Sequence, residues 1–446
     1  MTEVARVDGP LARVAGMPLL APLRIRDYRL VWVGESISLL GDQFHYVALS
    51  WLVLGLTGSG LALGTVMLAA ALPRGIFLLL GGVLSDRFSP RALMLWSNLV
   101  RAVVTTAIAA LVLGARIEIW HLVVAGALFG TVDAVFFPAI STIVARLVPA
   151  EQLAPANAVL QGTQQLMGTV GPALAGFTIA IIGVGAAFTI DAVSFAVAAT
   201  AVWLVRNRSA SPVASTSLEP TGPASPGQPT DTAEASTESI EPGPSPRASM
   251  VASMREGARA VFGDPVMRML VLLSSSFNLA FTGPVVVGLP WLVQVRFGGD
   301  AAMLGLLYAA FGGGSLVGVL LAGAAPRSRD LGLILVAIAM ALGIGLGAIG
   351  LAPTPVVAVL LFAIGGGVGY LNVALIAWAQ ARAEPHLLGR TMSFLMLGSV
   401  VGAPLSLAVT GAALDVDASA LFVGAGALVV ATAMAGLASG LPRRMV

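Results

Sequence analysis

The sequence predicts an all-α polytopic membrane protein, twelve transmembrane helices arranged as two six-helix bundles. Three observations carry this. Of 446 residues, 57% are apolar and only 10% charged, with a mean hydropathy of +0.93, whereas soluble domains are about a quarter charged. The apolar residues fall in twelve runs of membrane-spanning length, and one long polar stretch divides those runs six and six.

The runs cover 30–56, 61–84, 91–114, 120–147, 158–183, 185–205, 268–295, 301–324, 331–351, 355–379, 391–413 and 418–440. They are too long for barrel strands and lack period-two alternation, so in lipid the backbone must satisfy itself as helix. Residues 1–29 carry Arg6, Arg13, Arg24, Arg26 and Arg29, and their short apolar patch is broken by Pro18 and Pro22, unlike a secretory signal. They are expected to form a cytoplasmic N-terminal segment. Residues 30–205 form the first bundle. The stretch 206–267 is mostly rich in Ser, Thr and Pro and cannot bury enough surface to fold. It is expected to be a disordered cytoplasmic linker ending in a short amphipathic helix over 251–264. The second bundle is 268–440, and 441–446 is a cytoplasmic tail.

Arginine sets the orientation. Loops on one side hold Arg87, Arg91, Arg146, Arg206, Arg208, Arg327, Arg329, Arg382, Arg390, Arg443 and Arg444 besides those of the N-terminus, and the other side holds only Arg116 and Arg296. Both termini and the linker should therefore be cytoplasmic, in an inner (plasma) membrane. Trp32, Trp51, Trp120, Trp203, Trp291 and Trp378 lie near run ends, where an amphipathic ring prefers the interface.

Composition also excludes function classes. With no cysteine and three scattered histidines there is no thiol nucleophile, disulfide framework or metal-ligand cluster. No nucleophile–base pair or phosphate loop points to an enzyme. All basic residues are arginines thinly spread between apolar runs, so the basicity is topological and implies no nucleic acid. No cofactor is expected beyond a proton gradient, and the partners are a small-molecule substrate, protons and the lipid bilayer, with the chain a monomer.

The two halves are alike in detail. Run two opens with Leu61-Ala62-Leu63-Gly64 after Gly-Ser-Gly, and run eight with Ala302-Met303-Leu304-Gly305 after Gly-Gly-Asp. Run five holds Gly168-Thr169-Val170-Gly171-Pro172, and run eleven Gly398-Ser399-Val400-Val401-Gly402-Ala403-Pro404. A repeated six-helix unit is the signature of a secondary transporter whose substrate sits near the midplane between the halves.

Motifs then carry a family resemblance. The loop Gly82-Val83-Leu84-Ser85-Asp86-Arg87-Phe88-Ser89-Pro90-Arg91 resembles the cytoplasmic signature of the major facilitator superfamily, with Ser89 and Pro90 replacing the usual glycine and basic residue. Gly171-Pro172-Ala173-Leu174-Ala175-Gly176 resembles the antiporter motif of that superfamily's exporters, with alanine at one usual glycine and Met167 where a preceding glycine is expected. Ser38 to Asp42, Asp191 to Phe195 and Gly389-Arg390 look closest to the twelve-span drug exporters related to macrolide and enterobactin efflux proteins. The resemblance implies the major facilitator fold, and makes Gly82, Asp86, Arg87 and Arg91 a conformational gate that latches the cytoplasmic side. Physically, Asp86 can interact with a helix N-terminus, and the Gly-Pro pair permits a kink and close helix approach.

Ionisable groups at bilayer depth cost about 2.5–3.5 kcal/mol each even on a lenient scale, so each is a functional candidate. They are Glu35, Asp42, Arg74, Arg101, Asp133 and Asp191, all in the first half. Counted at ~1.5 Å per residue, Asp42, Arg74, Arg101 and Asp133 fall near one level close to the midplane, which invites ion pairing. Glu35 and Asp42 share a face of run one, with His45 and Tyr46 one turn further on. Asp42 is expected to carry the proton and Glu35 to relay it or meet a cationic substrate. Asp133 is expected to pair with Arg101 or Arg74, either structurally or as a coupling device. Asp191 is expected to pair with a neighbour or face an aqueous vestibule, and His45 to sit at a helix interface. Exporters of the superfamily often carry an arginine motif in span four, whereas run four here has an acid at mid-depth, so Arg101 is the candidate substitute.

For the substrate cavity, Gln161, Gln164 and Gln165 form a polar stripe on run five, facing Asn278, Tyr308 and Asn372 of a second half without intramembrane charge. The leading expectation is proton-coupled export of small lipophilic or cationic compounds by alternating access. An uptake symporter of the same fold and a non-transporting sensor or scaffold are the alternatives.

Overall fold

The computed structural model describes residues 18–206, 263, 265–324, 330–382 and 388–440. The linker proper and the amphipathic stretch 251–264, expected from the sequence, lie outside the described residues apart from single positions. Among the described residues there is no strand. After a short 3-10 turn at Pro18–Arg24, the first half comprises α1 (Arg26–Thr57), α2 (Gly60–Arg87), α3 (Pro90–Leu113), α4 (Ile119–Leu147), α5 (Leu153–Ile182) and α6 (Val184–Trp203). In the second half, α7 runs from Pro265 to Arg296, followed by α8 (Ala301–Ala324), α9 (Leu331–Ile349) and α10 (Thr354–Arg382). A last helical run, Leu388–Ala438, breaks at Asp417, whose φ of −157° and ψ of 103° are non-helical, and so holds α11 (388–416) and α12 (418–438). Among the described residues, eleven helices are long and apolar enough to cross a membrane, the last of them containing this bend.

Local chemistry explains the ends. Gly58 takes the left-handed conformation (φ 64°) that closes α1, its N–H bonding to Leu54 O. Ser89 accepts from the Ala92 N–H as the N-cap of α3, with Pro90 at the first helical position. The two residues that depart from the signature loop's usual pattern thus start a helix. Glu118 and His121 cap the start of α4 reciprocally. Within α7, the backbone widens into π-helix at Pro284–Gly288 and again at Leu292–Arg296. Pro284 and Pro290 lack an amide N–H, which favours such a shift in hydrogen-bond register. Nothing in the hydropathy of run seven marks this.

The halves repeat each other's packing. As α2 lies on α4, α8 lies on α10; as α3 lies on α6, α9 lies on α12; as α1 lies on α5, α7 lies on α11. Between halves, α2 meets α11 and α5 meets α8, the same contact related by the same exchange. Both seams are built on glycine at the end of the bundle away from the N-terminus, the distal end. Gly64 stands against Gly411, and Gly176 against Gly305 and the Ala301 carbonyl, an approach that only a missing side chain permits.

Among the described residues, the apolar core is continuous across the halves only at that distal end. One cluster joins Leu54, Leu63 and Met67 of the first half to Leu292, Leu304 and Leu414 of the second. Toward the N-terminal end the core splits into a cluster of the first half alone around Tyr28, Met94 and Phe136, and one of the second half alone around Leu335, Val336 and Ala433. On α5 and α8, Gly162, Gly168 and Gly323 face open space. Among the described residues, the halves are therefore packed together distally and parted toward the N-terminal end.

Asp415 secures the distal seam. At the α11–α12 corner it accepts from Ser59 Oγ (2.7 Å), the Gly60 N–H (2.8 Å) and the Leu61 N–H (3.2 Å), so α11 caps the N-terminus of α2 across the halves. Burial acts to raise this carboxyl, but the Ser59 and backbone hydrogen bonds outweigh it and hold it below its ordinary value. A carboxyl lowered in the closed state stabilises closure above its ordinary value and loses that effect as pH falls through the lowered one. The contribution of Asp415 to distal closure should thus be insensitive to pH from about 8 down to about 5, the ordinary aspartate value being ~3.9. Asp415→Ala should open the seam at every pH, measured as maleimide labelling of a cysteine placed in the cavity described below.

Candidate substrate cavity and its charge cluster

Between the halves at mid-depth lies a cavity of about 710 Å³, within the usual ~300–1,000 Å³ of small-molecule sites. Helical periodicity selects its walls. On α1 the lining residues Gln43, Tyr46, Val47 and Ser50, and on α2 Met67, Ala70, Ala71 and Arg74, follow the i, i+3, i+4, i+7 pattern of one face. Gly168 and Pro172 of α5, Thr282 and Val286 of α7, Tyr308 and Phe311 of α8, and Ala403, Pro404 and Leu407 of α11 close the space. The π-helical register at Pro284–Gly288 serves this wall, since Tyr308 Oη donates to the Val285 carbonyl (3.1 Å).

Arg74 and Asp133 are the ionic groups on the lining, and they belong to a three-residue cluster. Asp133 of α4 pairs through Oδ1 with Arg101 of α3, and its Oδ2 lies 3.9 Å from Arg74 of α2. Arg101 is buried, 4% exposed, with its guanidinium 4.5 Å from the Phe136 ring and 5.5 Å from the Phe195 ring. Arg74 differs, its side chain 43% exposed and stacked 4.6 Å over Phe137. The sequence asked which arginine meets Asp133. Both do, on opposite oxygens.

The remaining acids are distributed differently. Asp191 of α6 is fully buried and pairs with His45 Nδ1 (3.0 Å), with Thr105 Oγ1 at 3.5 Å. The imidazole stacks on Phe129 and meets the edge of Phe188, so His45 sits where α1, α4 and α6 meet. Glu35 and Asp42 are half-buried on α1, within electrostatic range of Arg101 and Asp133, off the cavity lining and without an ion pair among the described residues.

Of the other residues singled out in the sequence, Tyr308 and Pro172 line the cavity. Gly171 packs on Gln43 of α1 and Gly176 on α8. Gln161 and Gln164 are exposed on α5 one to two turns before Gly168, toward the parted end, and Gln165 is half-buried. Asn278 donates back to Ser274 O (2.9 Å) beside Gly402 at the α7–α11 seam, and Asn372 is exposed on α10. Gly82, Asp86 and Arg87 fall in the last turns of α2, and their side chains lie outside the described residues. Arg91 donates to the terminal carbonyls of α6, at Val202 (3.1 Å) and Trp203, a favourable place for a cation. Gln43 and Ser50 were missed, although their spacing with Tyr46 on α1 was there to be read.

Two like six-helix halves around a mid-depth cavity, packed together at the distal end, define a secondary transporter rather than an enzyme. The chain belongs to the Major Facilitator Superfamily, whose family model matches residues 31–407. Among its relatives, macrolide efflux protein A of Streptococcus pyogenes is 22% identical over 390 residues, 87% of this chain and 88% of that protein. An uncharacterized MFS-type transporter, y4rN of Sinorhizobium fredii, is 27% identical over 312 residues, 67% of this chain and 66% of that one. Similar solved folds include the nucleoside transporter NupG, at a TM-score of 0.65 and 14% identity over 92% of this chain and 98% of that one. Another is a D-xylose-proton symporter, at 0.64 and 15% over 90% and 96%.

Proposed function

We propose that this transporter exports small lipophilic compounds, drugs or metabolites such as siderophores, in exchange for protons. The observation that carries the reading is the largely apolar cavity on the seam between halves that are joined distally and parted toward the N-terminus. With the arginine bias placing that parted end in the cytoplasm of a cell with this inner (plasma) membrane protein, the cavity is positioned to load from inside. The efflux protein among its relatives and the antiporter-like glycines at the α5–α8 seam support export.

Asp42, with Glu35 beside it, is the proton carrier in this reading. These two carboxyls can take up and release a proton without first breaking an ion pair, whereas Asp133 is paired with the buried Arg101. Proton arrival changes the charge beside Arg101 and thereby the cluster that touches the cavity. The expectation of cationic substrates rested on acids facing the cavity, and Glu35 and Asp42 lie off its lining.

In an efflux-deficient host, the wild type should lower accumulation of some members of a panel of toxic lipophilic compounds, and collapse of the proton gradient should abolish the effect. Asp42→Asn should express normally and behave like the empty vector. A wild type that raises accumulation would instead favour a symporter, a reading that the fold shared with a D-xylose-proton symporter keeps in view. No effect on any compound would leave a sensor or scaffold.

A further inference from the structure

We propose that the cavity selects lipophilic anions, with Arg74 as the contact for the headgroup; this rests on the reading of the cavity as the transport path. Three groups are in contact in the cluster, two guanidiniums and one carboxylate, while Glu35 and Asp42 act on Arg101 from off the lining, and the three differ in what else can stabilise them. Arg101 is buried, its Nε has no hydrogen-bond partner among the described residues, and Asp133 is the carboxylate it pairs with. A buried cation held this way cannot release its partner without a large desolvation cost. The charge of Asp133 is therefore committed to Arg101.

Arg74 is left in excess. It stands 3.9 Å from the other oxygen of Asp133, beyond hydrogen-bond distance, and its side chain is 43% exposed on the cavity wall. Nothing else on that wall balances it, since the other polar lining residues, Gln43, Tyr46, Ser50, Thr282 and Tyr308, are neutral. A surplus guanidinium at the edge of an otherwise apolar space attracts an anion and repels a cation, and the low dielectric of the walls strengthens both effects. A planar fork suits a carboxylate, sulfonate or phosphate monoester, and the apolar walls suit an organic body. The anion approaches the exposed side of Arg74 while Asp133 keeps Arg101.

Dansylglycine and dansylcholine carry the same environment-sensitive fluorophore with opposite charge, so they isolate the sign of the headgroup. The full chain in lipid nanodiscs, with empty nanodiscs as the blank, should bind dansylglycine with a Kd about tenfold or more below that of dansylcholine. Arg74→Gln should weaken dansylglycine by a similar factor and leave dansylcholine no weaker, while Arg74→Lys, which keeps the charge without the fork, should retain part of the preference. If Arg74→Gln fails to fold, the wild-type comparison and Arg74→Lys still decide. Equal or tighter binding of dansylcholine, no binding of either probe, or wild-type affinity in a folded Arg74→Gln protein would each overturn the inference. The export reading fails separately. Gradient-dependent efflux of lipophilic cations with no dansylglycine binding would keep the exporter and remove the anion preference, whereas anion binding without efflux of any compound would do the reverse.

Discussion

Asp133→Asn should unfold the first bundle at a markedly lower temperature and abolish transport. The substitution leaves Arg101 buried at 4% exposure without its carboxylate, and breaking a buried pair from one side costs about 3–5 kcal/mol because a charge stays behind without compensation. Arg74 contributes little to that cost, since its exposed side chain has solvent to turn to. The double variant Asp133→Asn/Arg101→Met removes the stranded charge and fills a similar volume between Phe136 and Phe195. It should recover most of the lost thermal stability but none of the transport. Melting of the three proteins in one detergent measures this, and a double variant no more stable than the single one would show that the pair is not what holds α3 to α4.

Gly176→Leu should prevent distal closure while leaving the bundles folded. A Cβ at Gly176 would stand 3.0 Å from Gly305 Cα and closer still to the Ala301 carbonyl, and a Cβ on Gly305 would meet Ala173 Cα at 3.0 Å. Both contacts are with backbone, which cannot turn aside as a side chain can. Overpacking of this kind typically costs about 1–3 kcal/mol, and here the strain falls on one state, because the two halves meet at this seam only when the distal end is closed. A bias of that size shifts the population between states by roughly 5–150-fold. The chain has no native cysteine, so Ala71→Cys on the cavity wall gives one unambiguous labelling site. On the proposed orientation, a membrane-impermeant maleimide applied outside should modify it in the Gly176→Leu background and not in the wild type. Gly162→Leu is the control, since nothing lies within 4 Å of a Cβ there. Labelling equal in all three proteins would mean that the α5–α8 contact does not gate the cavity.

These variants separate what was legible in the chain from what was not. The spans were legible because each is a continuous local run, and the bend at Asp417 falls between the two runs expected at 391–413 and 418–440. That Arg74, Arg101 and Asp133 could meet was legible too, since rise per residue converts position into height. Azimuth was not. Counted at ~1.5 Å per residue, Asp42 and Arg74 fall at similar heights, yet Arg74 lines the cavity and Asp42 does not, because a helix's rotation is set by the neighbours that bury its other faces. The polar stripe on α5 illustrates the same gap, its glutamines lying toward the parted end while Gln43 and Tyr46 of α1 take the wall. Polarity alone makes Asn278 a cavity candidate, whereas its side chain is turned back onto its own helix.

By itself the sequence determined the class of protein, the twelve spans, the duplicated halves and the presence of acids and arginines at one depth. These follow from composition and one-dimensional spacing, which a membrane constrains severely. Only the tertiary structure decided that Asp133 pairs with Arg101 and lies 3.9 Å from Arg74, that His45 holds Asp191, that Asp415 caps α2 from the other half, and that the halves pack on glycine at the distal end. Each of these is a contact between helices distant in the chain, set by how glycine-lined faces pack and turn against each other, and no local spacing encodes that rotation.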